Sequence, residues 1–288
     1  MGDMGTVDMG YHFPLAAEFD PTDLNRDGVT NWRDFALLVQ GGAPEPQRYM
    51  VLCTSPIAID GDVSDWPGGT IWRPIDQVFS REPNDVSSAE FAVMWNGATN
   101  KVNLAVRVVD DVHVITDEYV VYNASDRLEI YSQGDAAGGT GWSQVWDVVQ
   151  HYMIGPDTAG GSWGNWALDQ TLDPNMGLEY AAVVSGDTYT YKAAVPQYDN
   201  YGGFSGGATI PTTLTEDNTV RFDLLVLTRH SSGYGWLGEN TLLSKFSNAN
   251  RIAPYTLAGP EGLPDDINDD GIINLFDQLH GLLQFWLQ

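Results

Sequence analysis

The 288-residue chain has 43% hydrophobic residues, enough to build a core as one large domain or two moderate ones, so it reads as globular. Its formal net charge of −26, from 39 acidic against 13 basic residues, repels nucleic-acid phosphates and anionic membranes and makes cations the natural partners. With 31 Gly, 13 Tyr and 10 Trp, the composition is that of a turn-rich β protein with aromatic-bearing loops.

The first residues, "MGDMGTVDMG", lack the basic and apolar regions of a secretory signal. The expectation is that the numbering begins after processing or that an upstream part is missing. No apolar run reaches the length of a membrane span. At residues 23 to 34 stands "DLNRDGVTNWRD", after which Trp32, Phe35 and Val39 recur at helical spacing. A Gly- and Pro-rich stretch, "QGGAPEPQRYM", reads as a linker. The sole cysteine, Cys53, allows no intramolecular disulfide and reads as a small buried hydrophobe.

Clean strand patterns follow. Phe91, Val93 and Trp95 share one face, as do Val102, Leu104, Val106 and Val108, and later Val220, Phe222, Leu224 and Val226, each with the period of two that sets one side on a core. "LEYAAVVSGDTYTYKAAVP" reads as a hairpin that turns at Ser185, Gly186 and Asp187, with Tyr189, Tyr191, Ala193 and Val195 on one face. Strands without intervening helical patterns predict a mainly β, antiparallel, jelly-roll-like β-sandwich. Gly-rich loops between them carry Trp142, Trp163 and Trp166, where exposed rings could stack on sugars together with Tyr122, Tyr234 and Trp236. The competing reading is that such aromatics cover the open ends of the core, where Trp66 and Trp95 belong. The carboxylates Asp60, Asp62, Asp110, Asp111, Asp126 and Glu129 are open to two readings, an additional calcium site in the sandwich or a solvated acidic face.

A second linker, "AGPEGLPDD", leads to "DINDDGIINLFD" at residues 266 to 277, and Leu275, Leu279, Leu282, Leu283 and Trp286 again follow at helical spacing. Calcium takes roughly six to eight oxygens, and a loop of this length supplies them from positions one, three, five, seven, nine and twelve, with Gly at six for the turn. The first copy offers Asp23, Asn25, Asp27, the Val29 carbonyl, Asn31 and Asp34; the second offers Asp266, Asn268, Asp270, the Ile272 carbonyl, Asn274 and Asp277. Asp and Asn also cap helices without a metal, but two complete matches decide for Ca2+ at these two sites at least. The shorter Asp at position twelve must approach closely to chelate.

These loops, each followed by one apolar helix, resemble the duplicated repeat of type I dockerins, calcium-folded modules that dock onto cohesins in extracellular polysaccharide-degrading assemblies. Dockerins carry their two repeats side by side, whereas here they stand at opposite ends of the chain. One loop and one short helix cannot bury an apolar stripe alone, so each half needs a partner, in the same chain or in a neighbour. The intervening "IDGDVSDW", "FAVMWN", "VNLAVRVVDD", "SDRLEIYS" and "SKFSNANRI" resemble, in order, the family 9 carbohydrate-binding modules. That resemblance implies a non-catalytic β-sandwich with structural calcium and, in sugar-binding members, an aromatic clamp. Tyr122 is the nearest counterpart of one clamp position, offset by a residue, and Trp236 the nearest aromatic to the other.

The expected organisation is therefore an N-terminal arm with the first calcium loop-helix (1–50), a β-sandwich (51–258) and a second EF-hand-like loop-helix (259–288). No HExxH, GxSxG or phosphate loop occurs, and the five histidines are scattered. The expected function is that of a non-enzymatic, extracellular or cell-surface, calcium-binding protein. Its split dockerin-like halves pair between subunits, head to tail, building a filament or scaffold from copies of itself. The alternative is a carbohydrate-binding module attached through its dockerin to a cohesin-like partner or to polysaccharide. A glycoside hydrolase ranks below both.

Overall fold

A computed structural model describes residues 47–80, 85–115, 125–139, 149–155, 177–202, 208–230, 233–240, 245, 248–260 and 272–273. Two compact units are distinguished: residues 49–262, and the terminal segments 1–48 with 263–288.

The strands in chain order are β1 (Gln47–Leu52), β2 (Arg73–Pro74), β3 (Gln77–Ser80), β4 (Val86–Asn96), β5 (Lys101–Asp110), β6 (Arg127–Gln133), β7 (Gln150–Ile154), β8 (Glu179–Ser185), β9 (Thr188–Pro196), β10 (Tyr198–Asn200), β11 (Ile210–Pro211), β12 (Thr219–His230), β13 (Gly233–Gly238), β14 (Pro254–Ala258) and β15 (Ile272–Ile273). One layer runs β4–β5–β9–β8, with β2 paired to β4. The other is centred on β12, flanked on one side by β6 and β7 and on the other by β13 and β14, with β3 beyond β13. β1 lies between β14 and β4 in the strand order.

The alternating faces read from the sequence meet between these layers. Phe91, Val93 and Trp95 of β4, Val102 to Val108 of β5, Tyr189, Tyr191, Ala193 and Val195 of β9, and Val220 to Val226 of β12 form one buried cluster. A side-chain period of two is what places them on one side of each strand. The β8–β9 hairpin closes through Gly186 and Asp187, with Ser185 opposite Thr188. Gly186 adopts a left-handed φ of 59°, a conformation that costs glycine little. One pairing departs from the antiparallel expectation: β1 runs parallel to β4, Val51 beside Met94 and Leu52 beside Trp95.

Two further layers of packing lie outside the central core. Residues 53–72 fold over the outer side of β4 and β5, where Cys53, Trp66, Ala92, Met94 and Ala105 form a second cluster. Trp66 and Trp95 are thus core residues, 8% and 4% exposed. On the outer side of β6, β12 and β13, Phe79, Tyr131, Val149, Leu225, Leu227, Trp236, Ala249 and Ile252 form a third.

Of the terminal unit, only Gln47–Arg48 and Ile272–Ile273 are described. They pair antiparallel, Gln47 with Ile273 and Arg48 with Ile272. The remaining ligand positions, Asp23 to Asp34 and Asp266, Asn268, Asp270, Asn274 and Asp277, lie outside the described residues, as do the expected helices.

Candidate functional site

The outer face of the β12 layer carries charge where a sandwich normally meets water. Register sets His151, Tyr131 and Asp223 side by side across β7, β6 and β12, with Glu129 opposite Met153 on one side and Leu225 on the other. Alternation sends Leu128 and Ile130 to the central core and Arg127, Glu129 and Tyr131 outward. Yet Arg127 and Glu129 are each only 2% exposed and Asp223 and Lys245 wholly buried. Buried charge is tolerated only when paired and hydrogen-bonded, and here it is.

Arg127 Nε donates to Glu129 Oε1 at 2.8 Å, and its Nη2 lies 2.5 Å from the same oxygen. Tyr131 Oη donates to Glu129 Oε2 at 2.7 Å, and His151 Nε2 lies 3.3 Å from it. Burial pushes the Glu129 carboxyl up, but the Arg127 charge and the hydrogen bonds from His151 and Tyr131 outweigh it and hold it down at about 2. The same phenol's ionisation is pushed well above its ordinary range by burial and by Glu129, so Tyr131 stays a donor. Its ring stacks on His151 at 4.3 Å.

Beside this network, Asp223 Oδ1 accepts from Lys245 Nζ at 2.6 Å and Asp223 Oδ2 from Asn240 at 2.9 Å. Lys245 stands over the Phe79 ring, which stacks on Trp236 at 5.7 Å. The face therefore combines a carboxylate with fixed donors, a second ion pair and two aromatic stacks, the polar-plus-aromatic lining of small-molecule sites.

The expected sugar-contacting residues divide. Trp236 is a correction: its ring is 6% exposed within the outer cluster, because the two flat rings of Phe79 and Trp236 cover the apolar part of the sheet. Tyr234 packs at the margin of that cluster. Tyr122, Trp142, Trp163 and Trp166 lie outside the described residues. Their positions in the chain are informative nonetheless: Tyr122 precedes β6, Trp142 falls between β6 and β7, and Trp163 and Trp166 follow β7. All four belong to connections of the two strands that carry Arg127, Glu129, Tyr131 and His151.

Sequence reasoning missed Arg127, Tyr131, His151, Asp223 and Lys245. Polar residues alternating with apolar ones read as a solvated face, and nothing local marks that face as covered.

The candidate calcium carboxylates of the sandwich also separate. Asp60 and Asp65 receive the fully buried ammonium of Lys192 at 3.0 and 2.7 Å, and the Asp62 carbonyl accepts from the same group. An internal cation already serves that turn, and Glu129 is likewise committed to Arg127. Asp111 is exposed. Asp110 and Asp126 remain, joined by Asp85, all three buried. Desolvation, aided by the neighbouring carboxylates, pushes Asp110 up to about 7 and Asp126 to about 6.

No protein-family model matches the sequence, and no curated protein matches it. Among solved structures, the chain resembles a family 9 carbohydrate-binding module from Caldicellulosiruptor kristjanssonii in complex with cellotriose. Identity is 15%, the TM-score is 0.56, and 77% of this chain and 97% of that one are covered. The module from the same organism in complex with glucose matches equally, with all of its length covered. At such identity the likeness establishes the fold: a mainly β, family-9-like sandwich.

Proposed function

We propose that the sandwich binds carbohydrate through the aromatic-bearing connections of β6 and β7, which the buried charge network of those strands supports without touching the sugar, and that the protein is a non-enzymatic module. The observation that carries this reading is the Arg127–Glu129–Tyr131–His151 network, placed on the two strands whose connections bear Tyr122, Trp142, Trp163 and Trp166. A sugar needs aromatic faces for its C–H surface and fixed donors and acceptors for its hydroxyls. The fold supports the reading, since its structural neighbours are modules in complex with cellotriose and glucose. β-Glucans are therefore the first substrates to test. Affinity electrophoresis through a polysaccharide panel is expected to show retardation that Trp163→Ala and Trp142→Ala reduce. Migration of the folded protein unchanged in every gel would leave the sandwich without this role.

A second reading concerns the terminal segments: we infer that they join in a calcium-dependent way, outside the cell. The donor set fits calcium, with three side-chain oxygens from Asp and Asn in the first half of each loop, one carbonyl, and Asn and Asp after it. The pairing of Arg48 with Ile272, position seven of the second loop, within one chain supports closure of the chain on itself. Exchange of the same contacts with a neighbour would give the head-to-tail assembly. Light scattering after size exclusion is expected to give a monomer in calcium for the closed form and a concentration-dependent series for the exchanged one. A profile identical with and without chelator would overturn calcium dependence.

A further inference from the structure

Lys245 and Asp223 form an ion pair in which both side chains are 0% exposed, and the two partners are held unequally. Lys192, another fully buried ammonium, has three oxygens around it, from Asp60, Asp62 and Asp65. Among the described residues Lys245 Nζ reaches one oxygen, Asp223 Oδ1 at 2.6 Å, and stands 5.6 Å over the Phe79 ring. An ammonium carries three donors, so one acceptor in a dry apolar site serves it poorly. The carboxyl, by contrast, is rich in donors. Its Oδ1 also accepts from the Leu224 amide at 2.9 Å, and its Oδ2 accepts from Asn240 Nδ2 at 2.9 Å and from the Ala253 amide at 3.4 Å.

That asymmetry has a chemical consequence. A lysine in an apolar pocket becomes a nucleophile once its proton leaves. Here the hydrogen bond to Oδ1 is the way out, and proton transfer along it leaves an amine facing a carboxylic acid. Burial pushes the Asp223 carboxyl up; the Lys245 charge opposes this and the Glu239 charge adds to it, and the net direction is up. Glu239 is itself held by the Tyr255 hydroxyl at 2.6 Å. Contact with Oδ1 at 2.6 Å sets Nζ roughly 3–3.5 Å from Cγ, the spacing of a near-attack arrangement. Asn240 and Ala253 donate to Oδ2, the oxygen on which negative charge develops when Cγ becomes tetrahedral.

We propose that Lys245 and Asp223 condense to an intramolecular isopeptide bond, for which the ion pair is the precursor. The amine Nζ attacks Cγ, and Oδ2 carries the negative charge of the tetrahedral intermediate between the Asn240 and Ala253 N–H groups. A proton from Nζ joins the departing Oδ1 hydroxyl as the C–O bond breaks. One amide and one water result, with no change of oxidation state and no co-reactant. Loss of that water from an apolar site drives the condensation, and exclusion of bulk water protects the product. Glu239 is a positioning residue that acts through Asp223. The bond ties β12 to the segment between β13 and β14, and it stands apart from the carbohydrate reading.

Intact-mass spectrometry of the folded full chain, denatured just before measurement, tests this. The mass is expected to fall short of the sequence mass by one water, and tryptic digestion should yield a branched peptide joining the segments that carry Asp223 and Lys245. Lys245→Arg keeps the positive charge and should restore the full sequence mass. Glu239→Gln leaves both reacting groups in place and should slow cross-linking by on the order of tenfold, with its pH profile displaced towards acid. The full sequence mass in folded wild type after prolonged incubation across acidic to neutral pH would overturn the proposal, whatever the variants do. A water deficit that persists in Lys245→Arg without a branched peptide would overturn it too, because the loss then lies at another residue.

Discussion

The Glu129 network and the Asp110 cluster are both buried carboxylate sites, yet their environments drive them in opposite directions. Glu129 has Arg127 in contact and donors from Tyr131 and His151, and is held down at about 2. Asp110 has one amide donor and two carboxylate neighbours, and is pushed up to about 7. Burial alone raises both; the difference is the supplied counter-charge. A side chain of the protein neutralises the first site, and the second has none among the described residues. That contrast separates a network whose buried charge is paired from a cluster whose buried carboxylates crowd one another.

The comparison breaks most sharply at Arg127. Arg127→Leu strands the Glu129 charge and should cost about 3–5 kcal/mol in urea unfolding, and Lys245→Met should do the same to Asp223. Adding Glu129→Gln to Arg127→Leu should recover much of the loss, because no isolated charge then remains. A double variant no more stable than the single would mean that packing by the Arg127 stem, and not charge, is what matters.

Acid is the next lever. Because the folded Glu129 carboxyl titrates at about 2, below its unfolded value, its contribution is present above roughly pH 4.5. It should be lost progressively as the pH falls from there towards 2, and the Glu129→Gln variant should show a flatter acid limb of stability. Equal slopes for the two proteins would contradict the assigned shift. At the opposite site, Asp110→Asn should be neutral or stabilising by ~1 kcal/mol in thermal melts, since it removes a buried charge that has an amide donor but no counter-charge among the described residues. Smallest of all, Trp236→Phe should leave polysaccharide retention unchanged, because the ring stacks on Phe79 inside the outer cluster.

The legible part of the fold was the part with a local period. Alternation along β4, β5, β9 and β12 located one inward face of each strand, and Gly186 with Asp187 located a turn, because a pleated backbone fixes which residues share a side. The candidate site was less so. "DRLEIYS" shows Arg127 and Glu129 alternating with Leu128 and Ile130, a pattern identical for a solvated face and for a covered one. Asp85 was not singled out at all, since it acquires its role only beside Asp110 and Asp126.

The sequence by itself determined the strand-rich class, the inward faces, the acidic character and the two twelve-residue loops with oxygen donors at every ligand position. Each of these depends on residue type and spacing within one short stretch of chain. Only the tertiary structure decided which buried carboxylates have a cation. Lys192 reaches Asp60 from more than a hundred residues away, Lys245 reaches Asp223 across 22 residues of chain, and Asp85 comes within electrostatic reach of Asp110 and Asp126 where strands of two layers end. Electrostatic energy depends on distance in space and on burial, and neither is written along the chain.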